Sequence, residues 1–193
     1  MRRVVVCTNV SLDGVMQSPA RSGEDPRNGF QHGGWAAPYA GMTHAGHVFG
    51  AADALLFGRR TYEDFYNDWP KRPDNPFTPW LNAIKKYVAS RTLREPLPWE
   101  NSSLLGGDAV AGVRALKQQP GKDILVMGSG ELVRSLMGAQ VIDEFVLLIH
   151  PLVLGPGTRL FADGGPFLKF ALASSTTTPT GVVIATYHPE AKA

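Results

Sequence analysis

One segment, Ile124–Met137, restricts the possible folds more than any other part of the chain. Its first four residues are apolar and lead directly into the turn Gly128-Ser129-Gly130. A helical pattern follows at once, with apolar residues on one face at Leu132, Val133, Leu136 and Met137. The segment therefore predicts a buried strand, a tight glycine turn and the start of a helix.

Such a turn has a possible chemical use. The first N–H groups of a helix lack helical partners, and the aligned peptide dipoles add partial positive charge at the same end. Together they suit an anion such as a phosphate or a pyrophosphate. The alternative is an ordinary strand–helix turn that needs glycine only for its backbone angles. A short Gly-x-Gly sequence without the full dinucleotide-binding spacing does not decide between the two interpretations.

Two other segments repeat this pattern. In Leu55–Phe65, an apolar run ends at Gly58 and is followed by Arg59, Arg60 and a possible helix cap, Thr61. In Lys86–Leu93, a short strand leads into Ser90-Arg91-Thr92. Ligands of parallel sheets gather at the carboxyl ends of the strands, so three such turns on one edge predict a ligand with several phosphates.

The order of elements predicts the fold class. Predicted strands alternate with helices to about residue 140, and the remaining predicted strands are consecutive. Predicted strands lie at 3–10, 54–57, 87–89, 103–105, 124–127, 167–173 and 182–187, and one more lies with its exit in the apolar stretch 142–154. Predicted helices lie at 39–50, 61–67, 81–85, 108–117 and after Gly130. We expect an α/β protein with a mostly parallel central sheet, helices on both faces and an antiparallel C-terminal edge. The sequence contains no evident linker, which predicts a single domain over residues 1–193.

Composition narrows the functional classes. The 193 residues are 44% hydrophobic and 19% charged, as in globular proteins, and the net charge of +2 does not favour bulk nucleic acid. The single cysteine, Cys7, excludes an internal disulfide. No run approaches the roughly 18 apolar residues of a membrane span. We therefore expect a cytoplasmic protein without nucleic-acid or membrane partners.

The motifs in their order resemble the dihydrofolate-reductase-like superfamily. The resemblance extends over almost the whole chain, and within the superfamily it is closest to the reductase domain of the riboflavin-biosynthesis deaminase-reductase. The motifs are SLDG, LLFGRRTYEDF, KYVASRTL, ILVMGSGELVRSL and IDEFVLLIHPLVLGPGTRLF, which begin at Ser11, Leu55, Lys86, Ile124 and Ile142.

This resemblance implies an NADPH site. Its cofactor-binding positions fall in the first strand, the following loop and the three turns: Thr8, Asn9, Met16, Gln17, Gly58, Arg59, Arg60, Thr61, Ser90, Arg91, Gly128, Ser129, Gly130, Glu131 and Leu132. The resemblance assigns Gly58 to Thr61 to the adenosine phosphates, Ser90 and Arg91 to the ribose 2′-phosphate, and the glycine loop to the pyrophosphate. The extra phosphate of NADPH would also favour the arginines physically.

The substrate side is less well defined. Asp13 is the candidate acid, with a turn-stabilising role as its alternative. His32, Trp35 and Met42 are candidate substrate-binding residues, and Arg21 or Arg27 could meet a substrate phosphate. In folate reductases a carboxylate follows the first loop, at a position that falls near Met42, but residues 39–50 contain no Asp or Glu. This departure argues against classical folate reduction.

The sequence therefore predicts an NADPH-dependent reductase. The expected reaction converts the ribosyl group of 5-amino-6-(5-phosphoribosylamino)uracil to ribityl in riboflavin biosynthesis. The alternatives are a reductase of dihydrofolate, a pterin or another small heterocycle, and a non-catalytic NADP-binding module. His44 and His47 lie three residues apart without an evident third ligand, so we expect no metal site. His150 is expected to be structural, and the family resemblance implies a homodimer.

Overall fold

The computed structural model describes residues 1–39 and 44–190. It contains one eight-stranded sheet with the strand order β4-β3-β2-β5-β1-β6-β8-β7. The strands are β1 (Val4–Ser11), β2 (Ala52–Gly58), β3 (Lys85–Ala89), β4 (Ser102–Leu105), β5 (Asp123–Val126), β6 (Glu144–His150), β7 (Phe170–Thr177) and β8 (Val183–Pro189). Neighbouring strands from β4 to β6 are parallel, whereas β8 pairs antiparallel with both β6 and β7. The predicted α/β class with an antiparallel C-terminal edge is confirmed.

Five α-helices connect the parallel part of the sheet. They are α1 (Gly46–Ala51), α2 (Arg59–Asp68), α3 (Thr78–Ala83), α4 (Ala109–Gln118) and α5 (Gly130–Gly138). Both α2 and α5 start at the turns predicted from sequence. The turn before α5 has a left-handed backbone, with φ of 92° at Gly128 and 64° at Ser129, whereas Gly58 before α2 is extended. None of the described helices has both the length and the apolar character needed to traverse a lipid bilayer.

The two faces of the sheet carry separate cores, as the alternation of strand side chains requires. Val4 and Val6 pack with α4 and α5 on one face. Val5 and Cys7 pack on the other face, together with residues of α1, α2 and α3. Since both faces are covered, the central strands are apolar almost throughout.

Three predicted boundaries were wrong. The helix predicted at 81–85 is α3, which begins three residues earlier and ends at Ala83, because Lys85 already belongs to β3. The helix predicted at 39–50 is represented by α1 from Gly46, and residues 40–43 lie outside the described residues. The strand predicted at 167–173 runs instead from Phe170 to Thr177. Most of β7 is exposed, so its polar residues give no alternating pattern that would mark a strand.

The strand order creates a crevice at the middle of the sheet. β5 lies between β1 and β2, and the chain then crosses over β1 to form β6 on its other side. The helices that follow β2 and β5 therefore leave the same edge next to β1. Open α/β sheets bind ligands at such a reversal of strand order.

Candidate functional site

A cleft of about 1530 Å³ opens at the carboxyl ends of β1, β2, β3 and β5. Its volume exceeds the ~300–1,000 Å³ of a pocket for one small ligand, so it has room for a cofactor and a substrate together. All fifteen predicted cofactor-binding residues, from Thr8 to Leu132, line this one cleft. Their role in binding remains a prediction, but the fold brings these residues together although they are far apart in the sequence.

The glycine loop between β5 and α5 is held in one conformation by its neighbours. Ser129 adopts a left-handed backbone with φ of 64°, and its hydroxyl donates to Thr61 Oγ1 at 2.7 Å. The same hydroxyl accepts from the Gly58 N–H at 2.7 Å. A Cβ on Gly58 would lie 2.8 Å from this oxygen, so only glycine permits the close approach of the two turns.

Two helix N-termini at the cleft have no side-chain cap. Neither Gly58 before α2 nor Ser129 before α5 caps its helix through a side chain. The first N–H groups of α5 are left without helical partners, and the first helical bond is donated by Val133 to Ser129 O at 2.9 Å. By contrast, the Asp108 carboxylate caps α4 by accepting from the Ala111 N–H at 2.9 Å. The uncapped starts of α2 and α5, each directly after a parallel strand at this edge, are therefore suited to an anion.

Arginines surround these helix starts, each paired with a carboxylate. Arg59 Nη1 lies 3.0 Å from Glu63 on the next turn of α2. Arg60 Nη1 lies 3.3 Å from Glu131, and this pair links α2 to α5. Both arginines are partly exposed, and such surface pairs contribute little, so an incoming phosphate could replace the carboxylate as partner.

The turn after β3 is the third part of the predicted phosphate site. The Ser90 hydroxyl accepts from the N–H groups of Thr92 and Leu93 at 3.1 and 3.0 Å and fixes the turn. Arg91 is exposed and lines the cleft. The serine therefore shapes the turn, while the arginine is the group with charge to offer a ligand.

The carboxyl end of β1 forms the middle of the cleft, with Cys7, Thr8 and Asn9 in its wall. Burial raises the pKa of the Cys7 thiol to about 12, so this cysteine remains a neutral thiol. Asn9 is the single partly exposed residue of β1. Its amide can both donate and accept hydrogen bonds at this position.

The loop after β1 folds over the glycine loop. A Cβ on Gly130 would lie 3.0 Å from Met16 Sδ, which shows how closely the two loops approach. Gln17 fixes the loop, since its amide donates to Asp25 O and Arg27 O at 3.0 and 3.1 Å. Met16 and Gln17 thus line the cleft from the loop after β1, and their role in covering a cofactor stays a prediction.

Asp13 occupies a different position from that expected of a catalytic acid. Its carboxylate accepts from Ser11 Oγ at 2.6 Å and from the N–H groups of Leu154 and Gly155 at 3.1 and 2.9 Å. The Ser11 hydroxyl in particular lowers the pKa of Asp13 to about 2. Asp13 is also not among the described residues that line the cleft. These contacts favour the alternative role, in which Asp13 fixes the turn to the loop after β6.

Of the three predicted substrate-binding residues, the two that the structure describes, His32 and Trp35, do not line the cleft. His32 is exposed and packs edge-to-face on Phe30 with ring centroids 5.7 Å apart. Trp35 is buried, and its Nε1–H donates to Gln17 O at 2.7 Å. Met42 lies outside the described residues. Because Trp35 packs beneath the loop, its contact with a substrate would be indirect.

The end of the cleft next to α2 and α3 is formed by residues that the sequence did not single out as a group. Phe49, Phe65, Trp69 and Phe77 provide an aromatic wall. Phe49 and Phe77 meet edge-to-face with centroids 5.0 Å apart, and Trp69 lies 5.5 Å from Phe77. The segment after α2 contains four prolines, and its sequence has no regular apolar spacing that would indicate aromatic residues folded back over the cleft.

Charged residues complete this end. Arg21 forms a bidentate pair with Asp64, and Arg27 pairs with Asp25. Glu24 lies between them, and desolvation by burial raises its pKa. Both candidate phosphate-binding arginines therefore line the cleft, each already neutralised by a carboxylate.

Metal-ligating residues show no such assembly. Within residues 1–39 and 44–190, no three His, Cys, Asp or Glu side chains come together in an arrangement that could hold a metal ion.

Known proteins share this architecture. The model of the RibD C-terminal domain family matches residues 2–184. The chain is 31% identical over 198 residues to the uncharacterized protein YyaP of Bacillus subtilis (strain 168), covering 97% of this chain and 95% of YyaP. A putative riboflavin biosynthesis protein from Shewanella sp. PV-4 superposes with a TM-score of 0.71 at 23% identity, covering 98% of this chain and 99% of that chain. Dihydrofolate reductase from Enterococcus faecalis complexed with NADP(H) gives a TM-score of 0.62 at 13% identity, covering 98% and 97%.

These findings agree with the superfamily that the order of the sequence motifs, from the SLDG turn to the closing strands, had indicated. The two structural matches, both below 25% identity, establish the dihydrofolate-reductase-like fold. The family model, which spans nearly the whole chain, establishes the relationship more closely. The chain belongs to the RibD C-terminal domain family.

Proposed function

We propose that this protein is an NADPH-dependent reductase of a small heterocyclic substrate, with 5-amino-6-(5-phosphoribosylamino)uracil as the first candidate. The observation that carries the proposal is the convergence of two uncapped helix N-termini and the Ser90-Arg91 turn on one cleft. Such N-termini bind phosphates, and the arginines add charge-assisted bonds. The same family contains the reductase part of riboflavin biosynthesis, which supports the candidate substrate.

The residues present fit the cofactor. The unpartnered N–H groups of α5 would hold the pyrophosphate, and Gly58 lets the Ser129 side chain approach the start of α2 closely. Arg59, Arg60 and Arg91 supply positive charge for the remaining phosphates. NADPH supplies a hydride, so the protein mainly has to bind, orient and exclude water. The buried end of β1 and the overlying Met16 would exclude water at the middle of the cleft.

The proposed substrate end is the end of the cleft with the aromatic wall, and its arginines suggest how the proposal can be tested. A phosphate on the substrate would have to replace Asp64 on Arg21 or Asp25 on Arg27. The aromatic wall suits a flat ring in either case. We therefore expect NADPH oxidation with the phosphorylated pyrimidine, and a comparison with its dephosphorylated form measures what the phosphate contributes.

The binding and turnover experiments separate the alternatives. Quenching of tryptophan fluorescence should show tighter binding of NADPH than of NADH, and equal or absent responses would contradict the cofactor assignment. NADPH oxidation with dihydrofolate instead of the pyrimidine would favour the folate or pterin alternative. Tight NADPH binding without turnover of either compound would favour the non-catalytic module.

We further propose a homodimer formed through the antiparallel edge. β7 is the last strand of the sheet and is exposed along most of its length, with Leu172 56% exposed. Phe167, just before it, is 80% exposed. An exposed edge strand of this length usually pairs or is covered. Light scattering should give the mass of a dimer, and Leu172→Lys should shift it to that of a monomer; an unaltered protein that is monomeric would contradict the proposal.

A further inference from the structure

His150 is a fully buried titratable side chain that the proposed chemistry leaves unused. It ends β6, pairs in register with Ser11 of β1, and has no exposed surface. Side chains two residues apart on a strand point to the same face, so His150 and Asn9 share one face of the sheet. His150 therefore lies directly behind a residue of the cleft wall.

The histidine makes one hydrogen bond, to that residue. Its Nε2 lies 2.8 Å from Asn9 Oδ1, and among the described residues its Nδ1 has no partner. The rings of Trp35 and Tyr39 pack edge-on to the imidazole, with centroids 5.1 and 5.2 Å away. The imidazole is thus fixed by two aromatic rings and has a single polar contact.

This environment selects one tautomer. An amide oxygen can only accept, so the histidine proton must lie on Nε2 when Nε2 faces Asn9 Oδ1. The reversed amide would place the proton on Nδ1, where a buried N–H would have no acceptor, an arrangement that folded proteins rarely contain. Desolvation by burial lowers the pKa of His150 to about 4, which keeps the ring neutral.

The consequence is an oriented donor in the cleft. With Oδ1 held by His150, the NH₂ group of Asn9 occupies the other side of the amide. No described residue accepts a hydrogen bond from Asn9 Nδ2, and Asn9 lines the cleft at the end of β1. An NH₂ group placed in this way is suited to a carbonyl oxygen of a bound ring.

We propose that His150 is a positioning residue that fixes the amide of Asn9, so that its NH₂ group donates to a carbonyl oxygen of the ligand in the central part of the cleft. Two ligands offer this chemistry, the carboxamide of the nicotinamide and a ring carbonyl of the heterocyclic substrate. The inference rests on the proposed function for the identity of the ligand, but not for the His150–Asn9 contact itself.

The first test is a double-mutant cycle on ligand binding. Asn9→Ala and His150→Phe should each weaken the binding of NADPH or of the pyrimidine, whichever contacts Asn9, about three- to tenfold. This is the loss expected for one hydrogen bond. The double variant should be no weaker than Asn9→Ala alone, because His150 acts only through Asn9. Losses that multiply would show an independent structural role and would overturn the proposal. Val48→Ala is the matched control, since Val48 is buried on the same face, and its effect should multiply with that of Asn9→Ala.

A conservative variant and a spectroscopic signature guard against a variant that fails to fold. His150→Gln keeps an N–H donor and should restore most of the binding that His150→Phe loses. In the unaltered protein with ¹⁵N-labelled histidine, the His150 signal, identified by its absence in His150→Gln, should show a protonated Nε2 and a bare Nδ1 at neutral pH. The opposite tautomer would overturn the proposal.

Additions of NADPH and of the pyrimidine identify the carbonyl oxygen that accepts from Asn9. They also test the positioning role of His150 separately from the proposed function. Addition of NADPH should shift the side-chain NH₂ resonances of Asn9 if the nicotinamide is the acceptor, and addition of the pyrimidine should do so if the substrate is. No shift with either bound ligand would overturn the donor role. Failure of the unaltered protein to bind NADPH, with the expected His150 tautomer, would contradict the proposed function alone.

Discussion

The substitution Gly58→Ala tests whether the close packing of two turns forms the anion site. Gly58 has φ of −79° and ψ of 162°, which alanine adopts without strain, so any effect comes from the added methyl group. That group would lie 2.8 Å from Ser129 Oγ and 3.0 Å from Ser129 Cβ. The methyl would therefore push the start of α5 away from α2.

The structure sets the size of the effect. Overpacking of this kind costs about 1–3 kcal/mol, which corresponds to a fall in melting temperature of roughly 2–10 °C. A displaced helix start also loses one or two hydrogen bonds to a charged ligand, at about 1.5–3 kcal/mol each. We expect NADPH affinity to fall at least about tenfold. Isothermal titration calorimetry and thermal melting measure the two quantities on the same samples.

Two further variants make the test specific. Ser129→Gly removes both atoms that the methyl would meet and suits the left-handed backbone at this position. The double variant should therefore bind NADPH as well as Ser129→Gly alone. Gly138→Ala, at the other end of α5, has open space and should leave affinity unchanged. Unchanged affinity and melting temperature in Gly58→Ala would refute the packing argument.

Three other substitutions test separate parts of the molecule. Arg91→Ala should weaken binding of NADPH about tenfold or more with little effect on NADH, because the resemblance assigns Arg91 to the 2′-phosphate, whereas Arg114→Ala outside the cleft should change neither dissociation constant. Asp13→Asn should lower the free energy of unfolding by about 1 kcal/mol after allowance for solvent screening. The folded-state pKa of Asp13, about 2, lies below its ordinary value of 3.8, so the stabilisation by Asp13 is complete above pH 3.8 and is lost as the pH falls toward 2. Denaturant unfolding curves at several pH values check this. A difference in unfolding free energy between the two proteins that does not change with pH would contradict it. Lys86→Met should cost about 2–4 kcal/mol because three carbonyl groups, which accept from the buried Lys86 Nζ at 2.9–3.0 Å, would lose their donor. A chemical denaturation midpoint equal to that of the unaltered protein would contradict this role.

The strand–turn–helix units were predictable because they depend on local sequence. An apolar run, a glycine and a periodic helix specified the positions of Gly58 and Gly128 before their spatial relation was known. Their convergence also followed, since parallel strands end at one edge. The residues that line this part of the cleft could therefore be predicted almost completely as a set, and their role in cofactor binding stays a prediction.

The rest of the site, including the end proposed to bind the substrate, depends on contacts that the local sequence does not specify. Asp13 reads equally well as an acid or as a turn residue, and only the loop after β6 shows which backbone groups it accepts from. Trp35 could stack on a substrate or pack beneath a loop, and its hydrogen bond to Gln17 O indicates the second. Lys86 looks like a surface residue beside Lys85, yet carbonyl groups from separate segments surround its ammonium group.

The position of β5 has a consequence for how the protein is made. This strand inserts between β1 and β2, although the chain completes β3, β4 and α4 before reaching it. A chain that has not yet placed β5 lacks the centre of the sheet and half of the cleft. Pairing between strands distant in sequence is slow, so the ability to bind NADPH should appear only with the last refolding phase. A ligand that binds only the completed sheet would then favour the finished fold over its partly assembled forms.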